Sequence, residues 1–171
     1  ANSLLKVIEE PQSEIYIFFL TNDQEQILQT IRSRTQIFQF KKHVESLRNQ
    51  LEQAGLVKNK ARLLAEFSQS QAEAEKLTNQ TSFWTLVEES ERFYSWLDAG
   101  KKESYLQVAK LASLADDKEK QDQVFRILEV LAGQEIQKNA ARTILQNLLE
   151  ARKMWKANVS FQNSLEYLVL Q

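Results

Sequence analysis

The chain has 171 residues, and its 22 Lys and Arg residues against 23 Asp and Glu residues leave a formal net charge of -1. A chain so close to neutral is not a polyanion binder as a whole, which excludes a general affinity for nucleic acid or acidic membranes. It has no cysteine and a single histidine, which excludes a disulfide framework and argues against a zinc site. No apolar run reaches the ~18 residues needed to cross a bilayer. We therefore expect a folded, cytoplasmic protein.

Chain breakers are scarce, with three glycines and one proline in the whole sequence. Their usual shares are roughly 7% and 5%, so the composition predicts a mostly helical chain. Pro11 should end a first helix, "SLLKVIEE". The segment "EIYIFFLT", residues 14–21, is β-branched and aromatic without polar alternation, which predicts a strand covered on both faces.

A second short helix and a second strand are predicted next. "DQEQILQTIRSR" places Ile27, Leu28 and Ile31 on one helical face, with Asp23 as the N-cap. "TQIFQF", residues 35–40, returns to strand character. The order helix, strand, helix, strand indicates part of an α/β domain, because two strands alone cannot form a sheet covered on both sides.

Every segment from residue 41 onward is predicted to be helical. Three short helices should form a unit over about 41–79, and five longer helices should form a second unit over about 82–171. The linker is predicted at "NQTS", with Thr81 or Ser82 capping the next helix. The three glycines are each expected at the end of a helix, namely Gly55, Gly100 and Gly133.

The chain resembles the clamp-loader branch of the bacterial AAA+ ATPases in the order of its segments. These are "NSLLKVIEEP", a buried strand, "LTND", a short helix, "TIRSRTQ", a second strand and then helices. Within that branch it is similar to the delta prime subunits of DNA polymerase III. The resemblance implies a mainly α fold: residues 1–40 as the remnant of an AAA+ α/β domain with two parallel strands, 41–80 as a three-helix lid, and 81–171 as a five-helix collar. It also implies that the sequence begins partway through the ATPase-like domain.

The resemblance assigns roles to four residues near the N-terminus. Ser33 and Arg34 match a Ser-Arg-Cys motif whose arginine reaches a neighbouring subunit's nucleotide as an arginine finger in trans, although Thr35 stands in place of the cysteine. A planar, permanently charged guanidinium suits that task because charge spreads over phosphate oxygens during transfer. Thr21 and Asn22 match the sensor-1 position, which would be vestigial in a subunit that does not hydrolyse ATP.

The lid departs from the pattern of ATP-binding relatives. They carry a sensor-2 arginine where this chain has Glu73 or a neighbour, and no Arg or Lys lies between Arg62 and Lys76. An acid there would repel phosphate. The chain also lacks a "GxxxxGK[ST]" phosphate loop, so no cofactor and no metal are expected in this fragment.

The resemblance therefore implies a non-catalytic subunit of a DNA-directed DNA polymerase holoenzyme, which belongs to the nucleotidyltransferases. Its implied partners are gamma/tau and delta subunits in a hetero-oligomeric ring, with the sliding clamp and primer-template DNA reached through the complex. Exposed apolar residues of the collar should make the subunit contacts, with Phe83, Trp84 and Tyr167 as candidates.

Two alternatives stay open. The chain could be a gamma/tau-type ATPase subunit, which a phosphate loop upstream of Ala1 would indicate. It could also be a helical adaptor, which the absence of two adjacent parallel strands would favour. Arg34 itself could be an ordinary cation at a helix C-terminus.

Overall fold

The computed structural model describes residues 15–21, 24, 27–39 and 43–171. This part of the chain is mainly helical, as predicted, and none of its helices is long and apolar enough to span a membrane. The chain divides into two compact units, residues 1–42 and 43–171. The helices of the described part are α1 (Gln29–Arg32), α2 (Val44–Gln53), α3 (Lys58–Phe67), α4 (Gln71–Thr78), α5 (Thr81–Asp98), α6 (Ser104–Leu114), α7 (Lys118–Gln134), α8 (Asn139–Lys156) and α9 (Phe161–Leu170).

The two predicted parallel strands are not formed in the described residues, so this prediction is wrong for the present structure. Residues 15–21 and 35–39 have no regular secondary structure, and Tyr16, Phe18 and Leu20 are almost fully exposed. A buried strand needs neighbouring strands for its backbone N–H and C=O groups and a packed layer on each face. The described residues provide neither, so these apolar side chains face solvent.

The short helix predicted between the strands is reduced to a single turn. Helix α1 covers only Gln29–Arg32, and the apolar Ile27 and Leu28 precede it instead of lying on its face. The predicted N-cap, Asp23, and the first predicted helix, which Pro11 should end, lie outside the described residues.

Several helix ends in residues 43–171 follow from local chemistry. Gly55 (φ 95°) and Gly100 (φ 60°) adopt the left-handed conformation that ends α2 and α5, as predicted. Asn158 (φ 68°) does the same for α8. Gly133 instead lies inside the last turn of α7.

Helix α5 begins one residue earlier than predicted and without a side-chain cap. Its N-cap is Gln80, which makes no capping hydrogen bond, so the prediction of Thr81 or Ser82 as the cap is wrong. The indole Nε1 of Trp84 donates to the carbonyl oxygen of Thr78, the last residue of α4, at 2.9 Å and links the two helices at this point.

The predicted contact residues of the collar are not on an exposed surface. Phe83, expected to be exposed, is only 2% exposed, and Trp84 and Tyr167 are half-buried, so these predicted contact residues are wrong. Their side chains pack into the unit's own core.

Helices α5 to α9 enclose a continuous apolar core. Helix α5 contacts α6, α7 and α8, while α9 closes the unit against α6 and α8. The largest fully buried side chains of these helices are Phe93, Val108, Leu111, Val124, Phe125, Ile127, Leu128, Leu148 and Leu165. Their burial supplies the main driving force for packing, at roughly 25 cal/mol per Å² of apolar surface removed from water.

The three-helix segment α2 to α4 joins the same core. Phe67, at the end of α3, makes an edge-on contact with Phe83 of α5 at a centroid distance of 5.3 Å. Arg126 of α7 donates from Nη2 to the carbonyl oxygen of Glu66 at 2.7 Å, and its guanidinium lies 4.4 Å from the Phe67 ring centroid. Residues 43–171 therefore form one compact unit, and the division of lid from collar near residue 80 stays a prediction.

Replacing Arg126 with methionine tests how strongly α3 is held against α7. Arg126→Met keeps an apolar stem on the Phe67 ring but removes the hydrogen bond to Glu66 and the cation above the ring. We expect a loss of about 1–2 kcal/mol in the free energy of unfolding, measured by urea denaturation. Arg62→Met, at an exposed position on α3, is the control and should change stability by less than about 0.5 kcal/mol.

A buried carboxylate fastens α6 to α5. Glu89 accepts hydrogen bonds from Lys110 Nζ at 2.6 Å, from Arg92 Nη1 at 3.1 Å and from Gln107 Nε2. Burial by itself would raise the pKa of Glu89, but the hydrogen bonds from Lys110 and Gln107 and the two nearby cations hold the pKa below its ordinary value. The ionised carboxylate is therefore part of the fold.

Acid should weaken this junction. Because the pKa of Glu89 is lowered in the folded state, its contribution to stability is present above the ordinary glutamate value of 4.5 and is lost as pH falls through the folded value. Glu89→Gln should cost about 1–3 kcal/mol at pH 7, and its deficit relative to the parent chain should shrink below pH 4.5. Glu88→Gln, on the exposed side of α5, is the control; an equal and pH-independent deficit in both variants would contradict this role.

Candidate functional site

The predicted arginine finger lies in the turn that follows α1. Arg34 is exposed, and its Nη1 donates to the carbonyl oxygen of Thr30 at 3.0 Å and to the hydroxyl of Ser33 at 3.4 Å. Ser33 is the C-cap of α1, and its hydroxyl donates to the same Thr30 carbonyl at 3.2 Å. Ser33 and Arg34 thus donate to the same carbonyl oxygen. Arg34 lies where a cation satisfies the last carbonyls of a helix.

Thr35 completes this arrangement. Its hydroxyl donates to the carbonyl oxygen of Ile31 at 3.0 Å. A cysteine in this place would be a weaker donor, so the departure from the Ser-Arg-Cys pattern has a local structural use here. Three successive side chains therefore turn back onto the C-terminal carbonyls of a one-turn helix.

The sensor-1 pair is only half described. Thr21 is exposed and lies in a segment without regular structure, whereas Asn22 lies outside the described residues. Their roles stay predictions.

Glu73 has a clear structural task at the start of α4. The hydroxyl of Ser70, the N-cap, accepts from the Glu73 backbone N–H at 3.3 Å, and the Glu73 carboxylate accepts from the Gln69 N–H at 2.7 Å. This is a variant of the capping box, in which two otherwise unpaired backbone donors are satisfied reciprocally. A carboxylate also interacts favourably with the N-terminal end of the helix dipole. The acid near the predicted sensor-2 position is therefore part of the α4 start.

Removing the Glu73 carboxylate should cost stability through α4. Glu73→Ala leaves the Gln69 N–H without its partner, and we expect a loss of about 0.5–1.5 kcal/mol in thermal or urea unfolding. Glu75→Ala is the matched control, because Glu75 is an exposed glutamate on the same helix whose carboxylate accepts from the side-chain Nε2 of Gln71 and from no backbone N–H shown in the described residues. Equal losses in the two variants would contradict the capping role.

The described residues do not bring together the groups of a catalytic or metal site. No cluster of potential metal ligands is found among them. A groove beside α8 is lined by Glu129, Leu149, Arg152, Lys153 and others, and its lining carries three cations and two carboxylates. Arg152 donates to both carboxylate oxygens of Glu129 at 2.8 Å and to Asp122 at 2.5 Å. Lys153 pairs with Glu150 at 2.7 Å, so two of the three cations in the groove are engaged in ion pairs.

Comparisons with known proteins match this chain to subunits of DNA polymerase III. A family described as "DNA polymerase III, delta subunit" matches residues 1–44, the segment that contains Ser33 and Arg34. The DNA polymerase III subunit delta' of Bacillus subtilis (strain 168) is 26% identical to this chain, in an alignment that covers 99% of this chain and 60% of that protein. The chain thus spans about 60% of the relative's length. No solved structure matches significantly.

The two matches confirm the resemblance to the clamp-loader class of DNA replication proteins. Within that class they support a chain of the delta prime type.

Proposed function

We propose that this chain acts as a non-catalytic clamp-loader subunit of the delta prime type in the bacterial DNA polymerase III holoenzyme. It would assist the ATP-dependent loading of the sliding clamp onto primer-template DNA in the cytoplasm, alongside gamma/tau and delta subunits. The observation that carries the proposal is the alignment with a delta' subunit along 99% of the chain. The family match on residues 1–44 adds support, because that segment contains "TIRSRTQ".

The non-catalytic part of the proposal rests on the lid segment. Near the predicted sensor-2 position, Glu73 uses its carboxylate to start α4 and would add negative charge beside a phosphate. A gamma/tau-type ATPase would instead bind ATP tightly and in a magnesium-dependent way, which calorimetric titration of the full-length protein would reveal.

The finger role is compatible with the position of Arg34. Its side chain is exposed, and the exposed hydrogen bond to the Thr30 carbonyl is worth only about 0.5–1.5 kcal/mol net. In the finger arrangement, a bidentate contact with phosphate oxygens would replace that hydrogen bond. The turn after α1 would hold the guanidinium until a neighbouring subunit presents its nucleotide.

Substitution of Arg34 tests the proposal in the assembled complex. Arg34→Ala should leave folding nearly unchanged, with a loss of at most about 1 kcal/mol, but lower DNA-stimulated ATP turnover of the reconstituted loader severalfold or more. A finger contributes roughly 10³ to 10⁵ in GTPases that use one, and a smaller loss is expected for one site among several. Arg34→Lys should be almost as damaging because lysine lacks the planar fork.

Arg32→Ala is the matched control, since it removes the same charge two positions earlier in α1. Assembly is checked for each variant by sedimentation, so that loss of turnover is not confused with loss of the complex. Full turnover of an intact complex that contains Arg34→Ala would reduce Arg34 to a cation at the end of a helix.

One observation favours the helical adaptor instead. The described residues contain no pair of parallel strands at 15–20 and 35–40, which the clamp-loader interpretation predicted. An adaptor would bind its partners through the helical unit 43–171 and leave ATP turnover unaffected by its presence. Omitting the chain from the reconstituted loader therefore separates the two functions, because ATP turnover should fall if the chain is a clamp-loader subunit and stay the same if it is an adaptor.

A further inference from the structure

The carbonyl oxygen of Ile31 accepts two hydrogen bonds beside the predicted finger. The backbone N–H of Arg34 donates to it at 3.0 Å, and the hydroxyl of Thr35 also donates to it at 3.0 Å. A carbonyl oxygen has two lone pairs, so it accepts both bonds at once. The main chain is therefore tied to the end of α1 at Arg34 itself and again, through a side chain, one residue later.

Ser33 ties the main chain to α1 on the other side of Arg34. Its backbone N–H donates to the Gln29 carbonyl oxygen at 2.9 Å, and its hydroxyl donates to the Thr30 carbonyl oxygen at 3.2 Å. These bonds, like the two to Ile31, do not involve the guanidinium. The backbone at Arg34 therefore stays fixed when the guanidinium leaves the Thr30 carbonyl for another acceptor.

The Thr35 bond is the best shielded of the described side-chain bonds at this turn. Thr35 is half-buried, whereas Ser33 and Arg34 are exposed. A hydrogen bond in a less polar setting is electrostatically stronger than one in water, and β-branched threonine has few χ1 rotamers to lose. Its hydroxyl is thus the side-chain contact best suited to fix the main chain at Arg34.

We propose that Thr35 is a positioning residue for the Arg34 finger. Its bond to Ile31 fixes the main chain from which the Arg34 side chain projects, so the guanidinium extends from one point and in one direction. A displacement of about 1 Å at a reacting centre can cost on the order of 10²-fold in rate. This role rests on the proposed function, because the position of Arg34 matters only if it reaches a neighbouring subunit's nucleotide.

Substitutions of Thr35 test this role in the reconstituted loader. Thr35→Val keeps the shape and the β-branch but removes the donor, so it should lower DNA-stimulated ATP turnover severalfold. Thr35→Ser restores a hydroxyl and should recover most of that loss. Thr78→Val is the matched control and should leave turnover unchanged, because the Thr78 hydroxyl makes the same kind of bond at the end of α4, to the Ala74 carbonyl at 2.8 Å. Equal turnover of Thr35→Val and Thr35→Ser would overturn the positioning role.

The Arg34→Ala chain shows whether Thr35 acts through Arg34. If it does, adding Thr35→Val to Arg34→Ala should lower turnover no further, because no guanidinium remains to be positioned. A further severalfold loss in the double variant would mean that Thr35 supports the loader in some other way, and the proposal would be wrong.

Backbone order at Arg34 tests the structural step without the loader. In the full chain, ¹⁵N relaxation of the Arg34 N–H should give a lower order parameter in Thr35→Val than in the parent chain or in Thr35→Ser. The reason is that the main chain is no longer tied to Ile31 after Arg34. An order parameter that is the same in all three chains would contradict the proposal.

The same variants separate the positioning role from the finger itself. Reduced turnover with Arg34→Ala but parent turnover with Thr35→Val would leave the finger in place and overturn only the role of Thr35. Parent turnover with Arg34→Ala would contradict the finger, and the positioning role would be wrong with it.

Discussion

The contact between the end of α3 and the helices α5 and α7 is the constraint on which the arrangement of residues 43–171 depends. Phe67 packs edge-on against Phe83, and Arg126 covers the Phe67 ring while donating to the carbonyl of Glu66. These contacts join the three-helix segment to the five-helix core in a single compact unit. Under the proposed function, the lid of this subunit could move relative to its collar only by breaking them.

The sequence predicted best those features that depend on local chemistry. Amphipathic spacing located α2 to α9, and Gly55 and Gly100 end helices because a left-handed residue is needed there. Predictions that depend on distant partners were less successful. The strand character of 15–20 requires neighbouring strands and covering layers that the described residues do not supply. Phe83 was expected on a surface, but it lies at helical spacing with the buried Leu86 and Val87 and packs against the ring of Phe67.

At the candidate site, too, the sequence predicted which residues are present better than it predicted their contacts. The residue types around Arg34 were readable from "TIRSRTQ", whereas the return of its guanidinium to the Thr30 carbonyl was not, because that contact depends on where α1 ends. Glu73 is different, since the pattern Ser70, two residues, Glu73 is a capping-box signal present in the sequence. The sequence analysis interpreted Glu73 only in relation to a nucleotide, yet its carboxylate accepts a hydrogen bond from the Gln69 N–H at the start of α4.

The proposed role as a clamp-loader subunit makes assembly with the ATPase subunits its central claim. Sedimentation velocity of the purified chain, mixed with gamma/tau and delta subunits from the same organism, measures that assembly directly. The account predicts that the chain moves in a single, faster species of fixed stoichiometry that also contains the other subunits. Sedimentation of the folded chain as a separate species, beside a complex that forms without it, would contradict the account.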